Sequence, residues 1–295
     1  MPKTIVDAVR DGLLDAELAG RLWVLVDGGV PVIVSGGAAT DVAGRRAIRT
    51  DLAGAVLDLV PSTRRRLDLT GASEDFAWLA DAERLGWVRS SPADSQAAEP
   101  RVTTLVSGEL GAGPPADLTG DRVRLVIRTL GRGFGLVATI DAAGLEEVLS
   151  GLRRQPIFLT DDELSNLGIV LVLGPAGTDE PDDRGTTATP RVVAAHYVRP
   201  LARDVHGHTQ RLPPAVLATW DGRIGRFEHF AWGIAAELAE RVGRRSGDFE
   251  AECERRAGVL AALATADARV GRTDVLARLD LQRSVGGAEV GTHRH

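Results

Sequence analysis

Residues 30–61, VPVIVSGGAATDVAGRRAIRTDLAGAVLDLVP, carry the chain's most suggestive chemistry. The apolar run at 30–34 predicts a buried strand, Gly36 and Gly37 supply a turn, and DLAGAVLDLVP ends a predicted helix. Strand, glycine turn and helix in this order form the frame of a phosphate-binding loop, whose backbone N–H groups wrap phosphates at a helix N-terminus. That chemistry needs G-x-x-x-x-G-K-[ST], with a lysine reaching the β- and γ-phosphates and a hydroxyl holding Mg²⁺. Counting from Gly36 puts Val42 and Ala43 at those two positions. Counting from the helix end, with a short insertion, puts Arg49 and Thr50 there and Ile48 in place of the glycine. Neither register supplies a lysine, because the only lysine in the chain is Lys3. Arg49 can meet phosphate as a cation, although its planar fork is not the compact ammonium that such a loop encloses. Arg45, Arg46 and Arg49 read either as a solvated helix face or as an anion clamp beside a glycine turn.

Other candidate groups are more scattered. Glu109, at the end of RVTTLVSGEL, reads either as a strand-end carboxylate capping the next loop or as a group facing a nucleotide-like pocket. Glu74 and Asp75 read as surface charges at a helix start. His206 and His208 in HGH are two ligands on a turn, too few for a metal without a third from His196 or His229, so no metal site is assigned. GRGFG at 131–135 precedes its strand, the reverse of a dinucleotide fingerprint. Cys253 lies between Glu252 and Glu254 on a predicted helix, where negative charge raises a thiol pKa, so it is not read as a nucleophile.

Around these groups the pattern alternates. Leu14, Leu18, Leu22, Leu25 and Val26 recur at helical spacing ahead of the first strand. Short strands are predicted at 66–69 and 101–110, separated by a segment whose Phe76, Trp78 and Trp87 cover a core edge. A helix from about Asp121 stops at Gly131, and FGLVATI at 134–140 reads as a strand buried on both faces. GLEEVLSGLRR is helical, Thr160 and Glu163 offer a capping box, and 169–174 is another buried strand. Strands alternating with helices predict a three-layer α/β fold with a parallel sheet, spanning 1–174. An acidic, proline-bounded loop at 175–190, an antiparallel hairpin at 191–232, helices at 233–285 and a disordered tail at 286–295 complete the organisation.

The chain has 295 residues, 44% of them hydrophobic and 26% charged, as in an ordinary globular protein. Its net charge of −6 argues against a nucleic-acid binder that works through bulk charge. One cysteine excludes an internal disulfide framework and a cysteine-only metal site. The N-terminus lacks the apolar run of a signal peptide, and no stretch reaches the ~20 apolar residues of a membrane span. A soluble, cytoplasmic protein is expected.

The order of pieces resembles the type II/type IV secretion ATPase family, the hexameric motors of pilus assembly and export, and within it the tight-adherence pilus branch. TIVDAVRDGLLDAELAGRLWVLVDGGVPVIVSGG resembles that family's lead-in helix and first core strand. RLDLTGASEDFAWL occupies the place of its acidic box, and TTLVSGEL resembles its atypical Walker B strand ending in Gly-Glu. RVRLVIRTLGRGFGLVATIDA looks like the helix and strand that end in its histidine box, with Asp141 where the histidine would stand. RVVAAHYVRP and TQRLPPAVLATWDGRIGRF are similar to its C-terminal strand hairpin. The resemblance covers residues 4–230. It departs at the loop lysine, at the arginine that follows Walker B, and at the separate N-terminal domain that supplies trans-acting arginines.

The resemblance implies a RecA-like P-loop NTPase core in which Gly36, Gly37, Arg49 and Thr50 line the nucleotide site. Glu109 would orient water or Mg²⁺, and Glu74 or Asp75 would serve as general base. The departures imply weak or absent binding of ATP and Mg²⁺ and a non-catalytic role beside a secretion or pilus protein, or as a homo-oligomer, because each loss removes stabilisation of the transferring phosphoryl group. Two other readings stand beside it: an active, unconventional ATPase using Arg49 and Glu109, and an interaction scaffold working through the C-terminal helices.

Overall fold

The structure, a computed structural model, describes residues 3–37, 41–88, 97–111, 117–176, 189–203, 209–266 and 271–291. Two helices open it, α1 (Ile5–Arg10) and α2 (Ala16–Asp27). They are followed by β1 (Val32–Gly36), α3 (Val42–Leu57), β2 (Arg65–Asp68), β3 (Thr103–Glu109) and α4 (Asp121–Leu130). Next come β4 (Gly135–Thr139), α5 (Leu145–Arg153), α6 (Asp161–Leu164) and β5 (Ile169–Pro175). The C-terminal part adds β6 (Pro190–Tyr197), a short pair β7 (Ala202–Arg203) and β8 (Thr209–Gln210), then β9 (Ala215–Asp221) and β10 (Arg226–His229). Helices α7 (Ala235–Arg241), α8 (Ser246–Thr265) and α9 (Arg272–Gly291) close the chain.

One eight-stranded mixed sheet organises the molecule, in the order β10-β9-β6-β5-β1-β4-β3-β2. From β5 to β2 every pairing is parallel, and β6, β9 and β10 extend the sheet antiparallel. This is the expected α/β core with an antiparallel C-terminal addition. The apolar runs explain why the sheet is covered on both sides. In β1, Val32 and Val34 enter one core and Ile33 the other; in β5, Ile169, Leu171 and Leu173 face one side and Val170 and Val172 the other. Alternation of consecutive apolar side chains gives each strand two buried faces. Helices α1, α2, α3, α8 and α9 contribute to the first core, and α4, α5 and α6 to the second, which makes three layers.

Phe76, Trp78 and Trp87 do close a core edge, with ring centroids 5.9 Å apart for Phe76–Trp78 and 5.0 Å for Phe76–Trp87. The capping box of α6 is present: Thr160 Oγ1 accepts from the Glu163 amide at 3.2 Å, and the Glu163 carboxylate accepts from the Thr160 amide at 2.8 Å.

The C-terminal helices are part of the core rather than an appendage. Phe249, Cys253 and Leu260 of α8, and Val275 and Leu279 of α9, are buried in the first core. Polar ties reinforce them: Asp27 at the end of α2 is bound by Arg256 and by Arg283, the latter at 2.9 Å, and both guanidinium groups lie over the Trp23 ring. Each buried large apolar side chain contributes about 1.5–3 kcal/mol at most. Deleting these helices would therefore uncover α1 and α2 and remove a large part of the first core, not merely a surface. Helix α9 continues to Gly291, past residue 286 where the sequence suggested a disordered tail. Most of the acidic loop, 177–188, lies outside the described residues, as do His206 and His208.

Candidate functional site

The site is built where β1 ends, at the centre of the sheet. Chain connections run from β1 to one side (β2) and return past it to the other (β5), and open α/β sheets bind ligands at the carboxyl edge beside such a reversal. Gly36 and Gly37 turn the chain there with φ of +80° and +147°. A Cβ on Gly36 would lie 2.0 Å from the Leu173 carbonyl oxygen of β5, so only glycine fits. Their amides are already engaged: Gly36 N donates to the Ala142 carbonyl at 2.7 Å and Gly37 N to the Leu173 carbonyl at 2.9 Å. Residues 38–40 lie outside the described residues. Helix α3 then starts from Asp41, whose carboxylate accepts from the Gly44 amide at 2.7 Å. The helix N-terminus thus carries its own anion.

Arg49 occupies the middle of the site. Its side chain is fully buried, with Nη1 donating to the Gly36 carbonyl and to Asp141 Oδ1, both at 2.9 Å. Nη2 donates to the two Glu109 oxygens at 3.2 and 3.3 Å. Three residues earlier on the same face of α3, Arg46 grips Asp117 through both terminal nitrogens, and its Nε lies 3.8 Å from Glu109. The Asp117 side chain is 1% exposed, and its hydrogen bond outweighs burial in raising the Arg46 pKa. Two guanidinium groups and three carboxylates form one connected array.

A local irregularity aims Glu109 into that array. The β3–β4 register slips between Val106, opposite Val137, and Glu109, opposite Thr139, so β3 spends one extra residue there. Such a bulge re-aims the side chain that follows it. Beyond it, Leu118 N donates to the Glu109 carbonyl at 3.1 Å and Gly111 N to the Leu118 carbonyl at 2.9 Å. That closure brings Asp117 beside Arg46.

Of the residues singled out from the sequence, Gly36, Gly37, Arg49 and Glu109 meet at this point, and Asp141 joins them. Thr50 does not: it follows Arg49 by about 100° around the helix and is exposed. Glu74 is buried with both oxygens in use, Oε1 accepting from the Phe76 amide and Trp78 Nε1 and Oε2 from the Thr70 amide and hydroxyl. It organises the loop after β2. Asp75 caps the Ala77 amide at 3.1 Å. Asp117 and Asp41 escaped the sequence reading, because each sits in a loop with no motif to mark it.

His229 pairs with Asp15 at 2.8 Å, and Asp15 also caps α2. Burial in β6 lowers the His196 pKa. No group of three or more potential metal ligands occurs among the described residues. The Cys253 thiol is pushed up to about 12, by burial foremost; Arg21 and Arg256 oppose the rise and Glu252 adds to it. The flanking glutamate therefore acts in the expected direction but is the lesser cause. Among the described residues, no helix is long and apolar enough to cross a membrane.

Outside the array a cleft of about 590 Å³ opens against Gly36, Gly37, Arg45, Asp141 and Glu147. It contains room for a ligand, yet the terminal nitrogens of Arg49 beneath it are bound to Gly36, Asp141 and Glu109, with Nε left buried and without a hydrogen-bond partner. No protein-family model matches the chain, and no curated protein matches it in sequence.

Proposed function

We propose that the chain has a P-loop NTPase fold of the RecA-like kind whose nucleotide site is filled by its own side chains. On this reading it acts as a non-catalytic partner or regulatory subunit, not as a motor. Support for the fold comes from the central strand β1 ending in a glycine turn at the point where the connections reverse, followed directly by α3. The observation that carries the functional reading is Arg49, buried and bound by Glu109, Asp141 and the Gly36 carbonyl.

Phosphoryl transfer is accelerated almost entirely by positioning and by positive charge placed around the transferring group. Here the buried cation that bonds the Gly36 carbonyl is paired with two carboxylates, and Asp41 places a third at the helix start where phosphate would bind. Glu109, the group that would orient water, is held by Arg49. A triphosphate would have to break these contacts and approach like charges. The test is calorimetric titration of the full chain with ATP and Mg²⁺ and with a non-hydrolysable analogue, alongside turnover assays. No binding at this site at millimolar nucleotide, and no turnover above a Glu109→Gln control, is expected. Micromolar binding that is lost in Glu109→Gln and retained in Arg49→Lys would overturn the reading in favour of an active, unconventional ATPase.

A further inference from the structure

At the opposite edge of the sheet, where the parallel strands begin, lies a second cleft of about 630 Å³. Turns from three places frame it: Gly28 and Gly29 ahead of β1, Gly131 and Gly133 ahead of β4, and Gly243 after α7. Into it come Arg64 from the approach to β2, Arg101 from the approach to β3, and Arg241 from the last position of α7. Asn166 stands at its rim. None of this belongs to the site at the carboxyl edge.

The cations are seated on glycines. Gly29 has φ of +81°, and a Cβ there would come within 2.7 Å of two Arg64 nitrogens. Gly133, at φ of +98°, lies under the stem of Arg101, with Cγ 3.5 Å from where its Cβ would be. Arg64 donates through Nη1 to the Asp27 carbonyl at 3.3 Å, while its Nε and Nη2 are buried and have no hydrogen-bond partner. Burial lowers the Arg64 pKa, with only Asp27 acting against it. Arg101 and Arg241 make no ion pair or hydrogen bond through their side chains among the described residues.

The surrounding negative charge does not cancel this. Among the described residues Asp27 is the only carboxylate lining the cleft, and Arg256 and Arg283 already share it. Helices α2, α4 and α7 end here, each placing about half a negative charge at its C-terminus. Three full positive charges against three screened half-charges leave the cleft electropositive. The three arginines belong to three separate elements, which suits a compact, multiply charged group with oxygens in several directions better than a planar carboxylate, which takes two parallel bonds from one arginine.

We propose that this cleft binds a small, multiply charged phosphate compound, held by the combined positive charge of Arg64, Arg101 and Arg241. The phosphate can come from a free oligophosphate or from the phosphate end of a nucleotide, and either source presents the same chemistry.

The experiment is calorimetric titration of the full chain with pyrophosphate, with ADP and citrate as comparisons, at one fixed ionic strength. Wild type, Arg101→Gln, Arg241→Gln and the double variant are compared; neither side chain makes a contact whose loss would unfold the protein. Pyrophosphate is expected to bind, each single variant to weaken it roughly tenfold, and the double variant to abolish it. ADP binding that disappears in the double variant identifies a nucleotide as an acceptable source, and pyrophosphate binding without ADP binding identifies a free oligophosphate. No binding of pyrophosphate at millimolar concentration, equal binding by wild type and double variant, or citrate binding as tight as pyrophosphate would each overturn the proposal. Nucleotide binding that survives in the double variant but is lost in Glu109→Gln belongs to the carboxyl-edge site and counts against the proposed function instead.

Discussion

The two edges of the sheet use the same residue type in opposite ways. At the carboxyl edge, Arg46 and Arg49 are surrounded by Glu109, Asp117 and Asp141, and the terminal nitrogens of both are bound there, although Arg49 Nε has no hydrogen-bond partner. At the amino edge, Arg64, Arg101 and Arg241 line a space in which the one carboxylate among the described residues, Asp27, is already bound by two other arginines. The glycine turn that draws the eye in the sequence marks the edge where both arginines of the array are paired with carboxylates. The edge with unbalanced charge carries no motif. What distinguishes a closed site from an open one is the carboxylates that sequence-distant elements bring alongside the arginines, and not the arginines themselves.

Removing Arg49 tests that difference most strongly. Arg49→Ala leaves Glu109, Asp141 and the Gly36 carbonyl without their cation, and breaking a buried ion pair from one side costs about 3–5 kcal/mol. Because the Asp141 side chain is 44% exposed and can recover water, a loss near the lower figure, about 3 kcal/mol, is expected in denaturant unfolding. A loss under about 1 kcal/mol, the range of a solvent-screened surface pair, would mean that the carboxyl edge is held no more tightly than the amino edge.

Asp58 offers a smaller effect and a sharper control, because it is a carboxylate near the amino edge, at the end of α3. Its side chain is 2% exposed, accepts from the Ile5 amide at 3.0 Å and lies 3.0 Å from Arg272 Nε. Burial raises its pKa to about 6 against the pull of Arg272, the Ile5 amide and Arg66. A folded-state pKa above the unfolded value of about 3.9 means that folding favours the protonated form. Its contribution is therefore fully present below about pH 4 and is lost as pH rises through about 6. Relative to Asp58→Asn, the wild type should lose on the order of 2 kcal/mol between pH 4 and pH 7. A pH-independent difference would show Asp58 ionised throughout and matched by Arg272, as the carboxylates of the carboxyl edge are matched by theirs.

How much of this was legible in the sequence follows from the range of the interactions. The strands at β4 and β5 and the capping box at Thr160 and Glu163 are written in contiguous residues, and they appear where the pattern placed them. The glycine turn was legible as well, since Gly36 answers a local steric demand. The burial of Arg49 was not. It depends on Glu109 and Asp141, 60 and 92 residues away, and on a bulge in β3 that no residue type announces. Within RRAIR, nothing local separates the arginine that turns inward from its neighbours. The amino-edge cleft is less legible still, being assembled from single residues of three elements without periodicity.

The smallest expected effect is the most direct check on the open edge. A side chain that makes no bond in the folded state loses nothing when it is shortened, and surface changes of this kind fall within about 0.5 kcal/mol of neutral. Arg101→Gln and Arg241→Gln should therefore leave unfolding in denaturant unchanged within that margin, or shift it slightly upward as repulsion among the three cations is relieved. The sign matters more than the size. A clear loss in either variant would mean that its charge is neutralising the C-termini of α2, α4 and α7, and the cleft would then be as self-satisfied as the site at the other edge. A neutral or positive change keeps the cations free, and their positive charge is then available to an anion.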